Sequence, residues 1–435
     1  MLNGFSEDFS FETNILEAGA YFNAPTTHPE ALPIHMATAH NVEDLDDLQK
    51  RYDEHGFCYN RNRNPNRSAL NDMMTYIEGG EDSLACSSGM AAISTAVIAN
   101  TKAGDHILSD KTLYGESLEV FSKILSKYGV EYTFVDFTDF EQVKANIRPN
   151  TVLLYTETVG NPLITVPDLR KIADFAHSHN AILIVDNTFM TGALAHPLAL
   201  GADVVVNSLT KFANGHSDAV CGAITSSKEM IEKCHAVQVL LGTQADPFSS
   251  WLVCRGLRTL DLRVKKQAAN AAALAAALEK NPYVKKVYHP SLASHPAHEL
   301  AKSQFGEYFG GMLSLELEDN REKMNKFMRA LHLCHYAMTL GGYRTTMAYP
   351  PMSSHSDMTK EERMAIGISD GLLRISCGIE NAEDLVKDFE QVWEVAYKAY
   401  YTEGAFFLNE KSGRGAFAPP FFCVKMICLF IEEIP

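Results

Sequence analysis

The chain has 435 residues, 46% of them hydrophobic, which is enough to bury the cores of two or three domains. Its 38 basic and 54 acidic residues give a formal charge of −16, and such a surface repels phosphodiester backbones, so we expect no nucleic-acid partner. The N-terminus is acidic and lacks an apolar stretch, and no run reaches the ~20 apolar residues of a membrane helix, so we expect neither a signal peptide nor a membrane partner.

The first 62 residues carry scattered Pro, Asn and His without a hydrophobic period, which predicts an N-terminal arm (1–62) rather than a compact unit. The nine cysteines form no CxxC pair, a pattern typical of reduced thiols, and we expect a cytoplasmic protein. Cys86 and Cys221 are interpreted as buried structural thiols.

Short β-rich runs alternate with helical periods over residues 63–255. The predicted strands are 106–109, 132–137, 151–157, 181–187, 203–208 and 219–224, and the predicted helices between them include 119–129 and 168–180. Continuous apolar strands separated by helices indicate an α/β domain with a mainly parallel sheet covered on both faces. Ligands of such sheets bind beyond the carboxyl ends of the strands.

A second, smaller α/β domain is predicted over residues 256–400. An Ala-rich helix (267–280) links it to the larger domain, and its other elements are strands at 310–317 and 372–380 and a helix at 381–400. The tail 401–435 has Gly and Pro punctuation followed by a short apolar run. It is an extra packing arm, a disordered segment or a reading-frame feature, and the sequence does not decide its role.

Lys211 is the first residue to which we assign chemistry. It directly follows an apolar strand and precedes small polar residues, in the segment SLTKFANGHSD (208–218). A lysine that is dehydrated and still reachable can lose its proton and attack an aldehyde. The alternative is an ordinary solvated lysine in a loop.

Asp186 ends the buried strand of AILIVDNTF and changes that balance. Pyridoxal 5′-phosphate (PLP) needs a carboxylate against its pyridine nitrogen, so that the protonated ring can accept electrons. The alternative for Asp186 is a helix cap or a turn residue. A lysine and a carboxylate that each follow a hydrophobic strand match two parts of a PLP site.

Two further segments fit the same cofactor. In CSSGMAAIS (86–94), small residues run into a helix whose backbone N–H groups would cradle a phosphate, although such a turn is more often a simple helix cap. In LYGES (113–117), Tyr114 would stack on a flat ring, with ordinary packing as the alternative. The histidines of HPSLASHPAH (289–298) lack metal-ligand spacing, and we assign no metal.

The chain resembles the Cys/Met-metabolism PLP enzyme family, which includes cystathionine γ-synthase, cystathionine γ- and β-lyases, methionine γ-lyase and O-acetylhomoserine sulfhydrylase. The resemblance runs in order from about residue 50 to about residue 400. The matching segments are GFCYNRNRNPN (56–66), SSGMAA (87–92), LYG (113–115), TETVGNPL (156–163), IVDNTF (184–189), NSLTKFANGHSD (207–218), RGLRTLDLR (255–263), TLGG (339–342) and LLRISCGIE (372–380).

The resemblance implies a role for each matched residue. Lys211 would hold PLP as a Schiff base and move protons, Asp186 would pair with the pyridine nitrogen, and Tyr114 would stack on the ring and serve as an acid or base. The residues implied for the phosphate are Ser88, Gly89, Met90, Ser208 and Thr210, with Tyr59 and Arg61 reaching the phosphate of a neighbouring subunit.

The remaining implied roles concern the substrate. Asn161 would lie near the phenolic oxygen of PLP, and Arg374 would bind the substrate α-carboxylate. Arg374 sits among apolar residues of a predicted strand and needs an anionic partner, for which a structural Asp or Glu is the alternative.

The sequence departs from the family at the distal end of the substrate pocket. Glu116 stands where relatives carry a small residue or Cys, and Arg344 stands where many have Glu. Thr339 replaces a usual Ser, and Asn66 a usual Thr. Glu116 and Arg344 would pair with each other, read a polar or charged end of the substrate, or point to solvent. The Cys typical of methionine γ-lyases is absent.

These observations together predict a fold-type-I PLP-dependent transferase fold with a large, mainly parallel-sheet domain and a smaller C-terminal α/β domain. The family resemblance implies a homo-oligomer, a dimer of tight dimers, acting on a small amino-acid substrate. The expected reaction is γ-elimination on a sulfur amino acid of the methionine or homocysteine type. The alternatives are γ-replacement on an acylated homoserine, γ-elimination from an amino acid with a polar distal group, and a non-catalytic relative that only binds PLP.

Overall fold

The structure, a computed structural model, describes residues 9–17, 29–356, 358–393 and 396. The tail 401–435 and the last part of the predicted helix 381–400 lie outside these residues. Within the described part of the chain, no helix combines the length and the apolar character that crossing a membrane requires.

The larger sheet contains the strands that the sequence pattern indicated. Its strands are β1 (Asp82–Cys86), β2 (His106–Asp110), β3 (Glu131–Val135), β4 (Thr151–Glu157), β5 (Ile182–Asp186), β6 (Val204–Ser208) and β7 (Gly222–Ser226). In the described residues their order is β1-β7-β6-β5-β4-β2-β3. Strands β2 to β6 pair in parallel, and β7 pairs antiparallel with both β6 and β1. The mainly parallel sheet is confirmed.

Two neighbouring strands, β1 and β7, differ from the sequence-based prediction. Strand β7 begins at Gly222, later than the predicted 219–224, and β1 was not predicted at all. The segment DSLAC of β1 begins with two polar residues, which conceals the strand in the sequence. Ser83 is nevertheless buried, and its hydroxyl lies 2.7 Å from that of Thr225 and 3.0 Å from that of Thr75. Residues outside the strand therefore satisfy this buried hydroxyl.

Helices cover both faces of the sheet and continue into the second half of the chain. The helices are α1 (Phe11–Glu17), α2 (Leu45–Asp53), α3 (Pro65–Glu78), α4 (Gly89–Ala99), α5 (Gly115–Glu119), α6 (Phe140–Asn146), α7 (Leu169–Ser178), α8 (Thr191–Leu194), α9 (Lys228–Leu241), α10 (Pro247–Leu257), α11 (Leu260–Leu278), α12 (His298–Phe305), α13 (Arg321–Ala330), α14 (Lys360–Ala365) and α15 (Ala382–Trp393). The predicted helix 168–180 corresponds to α7, whereas 119–129 is mostly a π turn (Val120–Ile124) followed by a 3₁₀ turn (Leu125–Tyr128).

The smaller sheet carries the second predicted core. Its strands are β8 (Lys286–Tyr288), β9 (Met312–Glu316), β10 (His335–Tyr336), β11 (Thr346–Ala348) and β12 (Leu372–Ser376). In the described residues the order is β10-β11-β12-β9-β8. Arg374 lies on β12 opposite Ser314 of β9 and Ala348 of β11, so an inner strand of this sheet holds it. Together with the larger sheet, this architecture confirms the predicted two-part α/β fold.

Helix α11 connects the two cores. Its first half, including Leu260 and Val264, packs into the core of the larger part, and its second half, including Leu274 and Leu278, packs into the core around the smaller sheet. The predicted linking helix 267–280 is the second half of this longer helix. The exact domain boundaries, including the one at 255/256, stay predictions.

The predicted N-terminal arm contacts the large core at its described part. Ile15 of α1 is buried in that core, and the Arg258 guanidinium donates to the Ile15 carbonyl over 2.6 Å. Asn66 at the start of α3 is also buried, and its amide bonds the Pro33 carbonyl and the His35 N–H. The arm is thus fastened by polar contacts as well as by Ile15.

Glu78, the last residue of α3, braces the ends of two neighbouring strands. Its buried carboxylate accepts hydrogen bonds from the Gly192 N–H at 2.9 Å and from the side-chain amides of Asn187 at 3.0 Å and Asn207 at 2.9 Å. Burial raises the pKa of Glu78 to about 7, against the effect of these three donors. The C-terminus of α3 therefore holds both the segment after β5 and the end of β6.

Replacing Glu78 with Ala should lower the free energy of unfolding by about 3 kcal/mol, because three buried donors lose their acceptor and a cavity forms. The measurement is the urea unfolding midpoint of the full chain. Glu390→Ala is the matched control, since Glu390 is exposed on α15, and it should change stability by less than about 0.5 kcal/mol. Equal effects of the two substitutions would contradict the bracing role of Glu78.

Candidate active site

A cavity of about 320 Å³ opens at the carboxyl ends of the parallel strands. Residues that follow β2, β4, β5 and β6 form one wall, and β12 with the segment 338–340 forms another. The cavity brings together most of the residues that the sequence singled out, namely Ser88, Gly89, Met90, Tyr114, Glu116, Asn161, Asp186, Ser208, Thr210, Lys211, Thr339 and Arg374. These residues come from both halves of the chain.

Lys211 is half-buried in the turn after β6. Its Nζ lies 3.5 Å from the Thr339 hydroxyl. A Cβ on Gly341 would come within 2.4 Å of the Phe212 nitrogen and 3.1 Å of the Lys211 Cα, so only glycine allows this close approach. Burial lowers the pKa of the Lys211 ammonium, and the Arg374 guanidinium lowers it further. The amine is therefore easier to deprotonate than an ordinary lysine, as a nucleophile requires.

Asp186 ends β5 and is nearly buried in the cavity wall. Its Oδ1 accepts the Thr188 N–H over 2.9 Å, and the Thr188 hydroxyl accepts the Ser208 N–H over 2.8 Å. Burial raises the pKa of Asp186 to about 6, and the bonds from Thr188 oppose this shift. The bonds from Thr188 favour the ionised form of Asp186 and fix it relative to the end of β6.

The N-terminus of α4 meets the end of β6 at very short range. Ser88 caps the helix by accepting the Ala91 N–H over 3.0 Å. A Cβ on Gly89 would lie 2.7 Å from the Ser208 Cβ, so the glycine permits this approach. The Thr210 hydroxyl holds the adjacent backbone segment at Cys221, and its oxygen lies 3.2 Å from the Cys221 carbonyl oxygen and 3.1 Å from the Cys221 nitrogen. Backbone N–H groups and hydroxyls thus converge where an anion would be stabilised.

Tyr114 lines the cavity beside Glu116. The Tyr114 N–H donates to Glu157 Oε1 over 2.8 Å. Burial raises the pKa of the Tyr114 phenol to about 12, and the adjacent Glu116 carboxylate contributes to the shift. The phenol therefore keeps its proton at neutral pH and is available as a donor.

Arg374 is buried and bonds Asn161 across the cavity. Its Nη1 donates to the Asn161 Oδ1 over 2.8 Å. It takes part in none of the ion pairs formed among the described residues. Burial lowers the pKa of the guanidinium to about 10, so it remains a cation at neutral pH. A buried cation whose protein partner is an amide suits a ligand carboxylate.

Three predicted site residues do not line this cavity. Arg61 donates to the Val239 carbonyl over 2.9 Å and lies 5.6 Å from the ring of the exposed Tyr59. Arg344 is exposed and lies 5.1 Å from the Tyr343 ring. Glu116 and Arg344 therefore do not share one wall of this pocket.

The sequence reasoning missed several lining residues. Glu157 and Thr188 carried a usable signal, because each follows or ends a buried strand as Asp186 does. Ser353 and Ser354 gave no local signal. The Ser354 carbonyl would lie 2.5 Å from a Cβ on Gly115, so their loop packs directly on the Tyr114–Gly115 turn.

The weaker sequence candidates have ordinary structural surroundings. His289 and His295 bond the carbonyls of Gly310 and Ile164. No group of three or more potential metal ligands was found within the described ranges. Cys86 and Cys221 are fully buried, and burial raises the pKa of both thiols, so they are placed as structural cysteines.

Comparison with known proteins places this site in a family. The sequence profile of the Cys/Met metabolism PLP-dependent enzymes matches residues 12–394. The chain belongs to this family. Among its curated relatives, an L-methionine γ-lyase of Porphyromonas gingivalis is 40% identical over 385 residues, covering 87% of this chain and 96% of the relative. A cystathionine γ-lyase of Bacillus subtilis is 44% identical over 340 residues, covering 78% and 89%.

Solved structures agree with the Cys/Met metabolism family. A cystathionine γ-synthase of Xanthomonas oryzae pv. oryzae in complex with cystathionine superposes with a TM-score of 0.85 at 34% identity, covering 90% of this chain and 99% of that one. Relatives with different activities thus lie at similar distances, and the family alone does not fix the reaction.

The residues of the cavity fit the cofactor that defines the family. PLP has a phosphate, a basic pyridine nitrogen and an aldehyde, and each has a suitable group here. Ser88, Gly89 and Ser208 would hold the phosphate at the α4 N-terminus, where a Cβ on residue 89 would fill the space. Asp186 would pair with the nitrogen, and Lys211 would carry the aldehyde carbon.

Thr188→Val should weaken PLP binding about 10-fold. Valine has a shape similar to that of threonine but no hydroxyl, so the Ser208 N–H loses its acceptor and the Asp186 carboxylate loses a donor. The measurement is the titration of the PLP-stripped full chain with PLP. Thr188→Ser keeps the hydroxyl and should stay within about 3-fold of the wild type. A Thr188→Ser variant as impaired as Thr188→Val would show that the hydroxyl alone does not maintain PLP binding and would contradict this role of Thr188.

Proposed function

We propose that this chain is a PLP-dependent carbon–sulfur lyase. The reaction is γ-elimination on a sulfur amino acid of the methionine or homocysteine type, with water giving 2-oxobutanoate, ammonia and a thiol, or hydrogen sulfide in the case of homocysteine. The observation that carries the proposal is that Lys211, Arg374 and the protonated Tyr114 line one cavity. The lyase names of two similar relatives favour elimination.

The side chains divide the work on the substrate. Arg374 binds the α-carboxylate through its charge and its planar donors, while Asn161 fixes the guanidinium. Lys211 Nζ removes the proton at the substrate Cα and then one at Cβ, and its lowered pKa favours the free amine. Loss of the Cβ proton supplies the electron pair that expels the γ-substituent. Bound PLP supplies the electron sink that makes these protons acidic.

The departure of the γ-substituent needs a proton donor and a suitable wall. The Tyr114 hydroxyl carries a proton at neutral pH and would deliver it to the leaving sulfur. Met338, Val220 and Ile93 also line the cavity and give an apolar surface for a thioether. Thr339, whose hydroxyl lies close to Lys211 Nζ, would steady the amine beside Cα.

Gamma-replacement is the second candidate. In it a thiol enters at Cγ and forms a new thioether in place of the keto acid. The similarity to a cystathionine γ-synthase of known structure supports this alternative. Both reactions begin with the same proton transfer by Lys211, so the fate of Cγ distinguishes them.

A complete site would draw on two chains. Tyr59 and Arg61 are exposed or turned away from their own cavity, and a phenol and a guanidinium suit phosphate oxygens. They would complete the phosphate site of a neighbouring copy, in a homo-oligomer built as a dimer of dimers. The cytoplasmic location stays a prediction.

Product analysis tests the reaction. The full-length protein with PLP is incubated with methionine, homocysteine, cystathionine and O-acetylhomoserine, each with and without an added thiol. We expect 2-oxobutanoate without the thiol, and Lys211→Ala should lower its rate by at least about 10³-fold.

Other products would replace the proposal. A thioether formed only with the thiol would establish γ-replacement, and pyruvate from cystathionine would establish cleavage at Cβ. A protein that binds PLP but leaves the whole panel unchanged, without any change of its visible band on meeting an amino acid, would be a non-catalytic relative.

Glu116→Gln should change the ranking of these substrates by at least about 5-fold in kcat/KM, because Glu116 lines the cavity and its charge would act on the distal group. Arg344→Met is the matched control, since Arg344 lies outside the cavity wall and stacks near Tyr343. An unchanged ranking in Glu116→Gln would refute selection for a polar distal group at this position.

A further inference from the structure

Glu157 and Asp186 lie side by side at the edge of the large sheet. They end the neighbouring parallel strands β4 and β5 and are paired in register, so their side chains emerge on the same face. Each is 7% exposed, and both line the cavity. Asp110 ends β2, on the other side of β4, and is also buried. Carboxyl groups thus crowd a region with little water.

The two neighbouring carboxyl groups have different partners. Asp186 accepts from the backbone and the side chain of Thr188, which favours its ionised form. Glu157 accepts from the Tyr114 N–H at 2.8 Å, whereas the Asn161 N–H donates to the Thr112 carbonyl over 3.3 Å. Its side chain forms no ion pair among the described residues.

Two adjacent buried carboxyl groups cannot both ionise cheaply, and the one that accepts more hydrogen bonds keeps the charge. The other groups around Glu157 are Tyr155 on its own strand, Asp110 on β2, Tyr114 and Arg374. Arg374 donates to Asn161 and forms no ion pair with Glu157 among the described residues, so the two charges interact only at longer range. Burial raises the pKa of Glu157 well above its ordinary value, and Asp186 contributes to the shift.

We propose that Glu157 is a positioning residue whose neutral carboxyl group holds the backbone of Tyr114, while Asp186 beside it remains the carboxylate that meets the cofactor. Glu157, the last residue of β4, reaches the loop after β2 through the Tyr114 N–H. It therefore fixes the backbone that carries the Tyr114 ring relative to the end of β4. This role of Glu157 requires PLP, the cofactor of the family to which the chain belongs, and does not depend on which sulfur amino acid reacts.

Glu157→Met and Glu157→Gln separate the acceptor from the charge. Methionine has a similar length but no carboxyl acceptor, and it should weaken PLP binding by about 30-fold, because the part-buried Tyr114 N–H loses its partner. Glutamine keeps a neutral carbonyl acceptor and should recover most of that loss, to within about 5-fold of the wild type. PLP affinity is measured by titrating the PLP-stripped full chain, and its thermal unfolding without PLP checks that each variant folds.

A double-mutant cycle tests whether Glu157 acts through Tyr114. In a Tyr114→Ala background the placement of the ring no longer matters, so Glu157→Met should cost less than about 3-fold in further PLP affinity. A purely structural role of Glu157 would give the full loss again in this background. That additive result would overturn the proposal.

The pH dependence of PLP affinity supplies an independent readout. If Glu157 is neutral, the wild type and Glu157→Gln should give parallel curves from about pH 6 to about pH 9. An inflection in the wild type that disappears in Glu157→Gln would show that Glu157 ionises there and would overturn the proposal. So would a Glu157→Gln variant as impaired as Glu157→Met. Because every readout is PLP binding, a failure of the proposed γ-elimination would leave these outcomes unaffected.

Discussion

The central constraint in this protein is the burial of charged groups at the carboxyl edge of one parallel sheet. Parallel strands that end together bring their last side chains together, and Asp110, Glu157 and Asp186 meet there with little water. Their charges cost free energy unless hydrogen bonds or neutral forms relieve them. The different partners of Glu157 and Asp186 reflect this cost, and a cationic ring nitrogen beside Asp186 would reduce it further.

The second half of the chain completes the site by placing a cation opposite that edge. Arg374 comes from an inner strand of the smaller sheet, and its bond to Asn161 joins the two sheets. Helix α11 packs into both hydrophobic cores, and the Gly341 backbone lies against Lys211. A buried guanidinium and a desolvated amine in one cavity lower each other's proton affinity. Lysine reactivity in this protein therefore depends on how the two halves pack.

Substrate selection would arise at the wall of the cavity that carries Glu116. There Glu116 stands beside Tyr114 and its carboxylate raises the pKa of the phenol. The loop that contains Ser354 packs on the Tyr114–Gly115 turn, so the distal wall is built from segments far apart in the chain. The chain is similarly identical to relatives with different activities. A common cofactor site combined with a distal wall that varies between relatives would explain this similarity.

The sequence by itself determined the parts of this protein that local patterns encode. Buried apolar runs located β2 and β4 to β6, and Lys211 and Asp186 were recognised because each directly follows or ends such a run. Ordered family motifs supplied the fold and the cofactor. Only the tertiary structure decided that Glu157 holds Tyr114, that Arg374 bonds Asn161, and that Arg344 lies outside the cavity. Strand register and the packing of remote segments set these contacts, and neither leaves a periodic signal in the sequence.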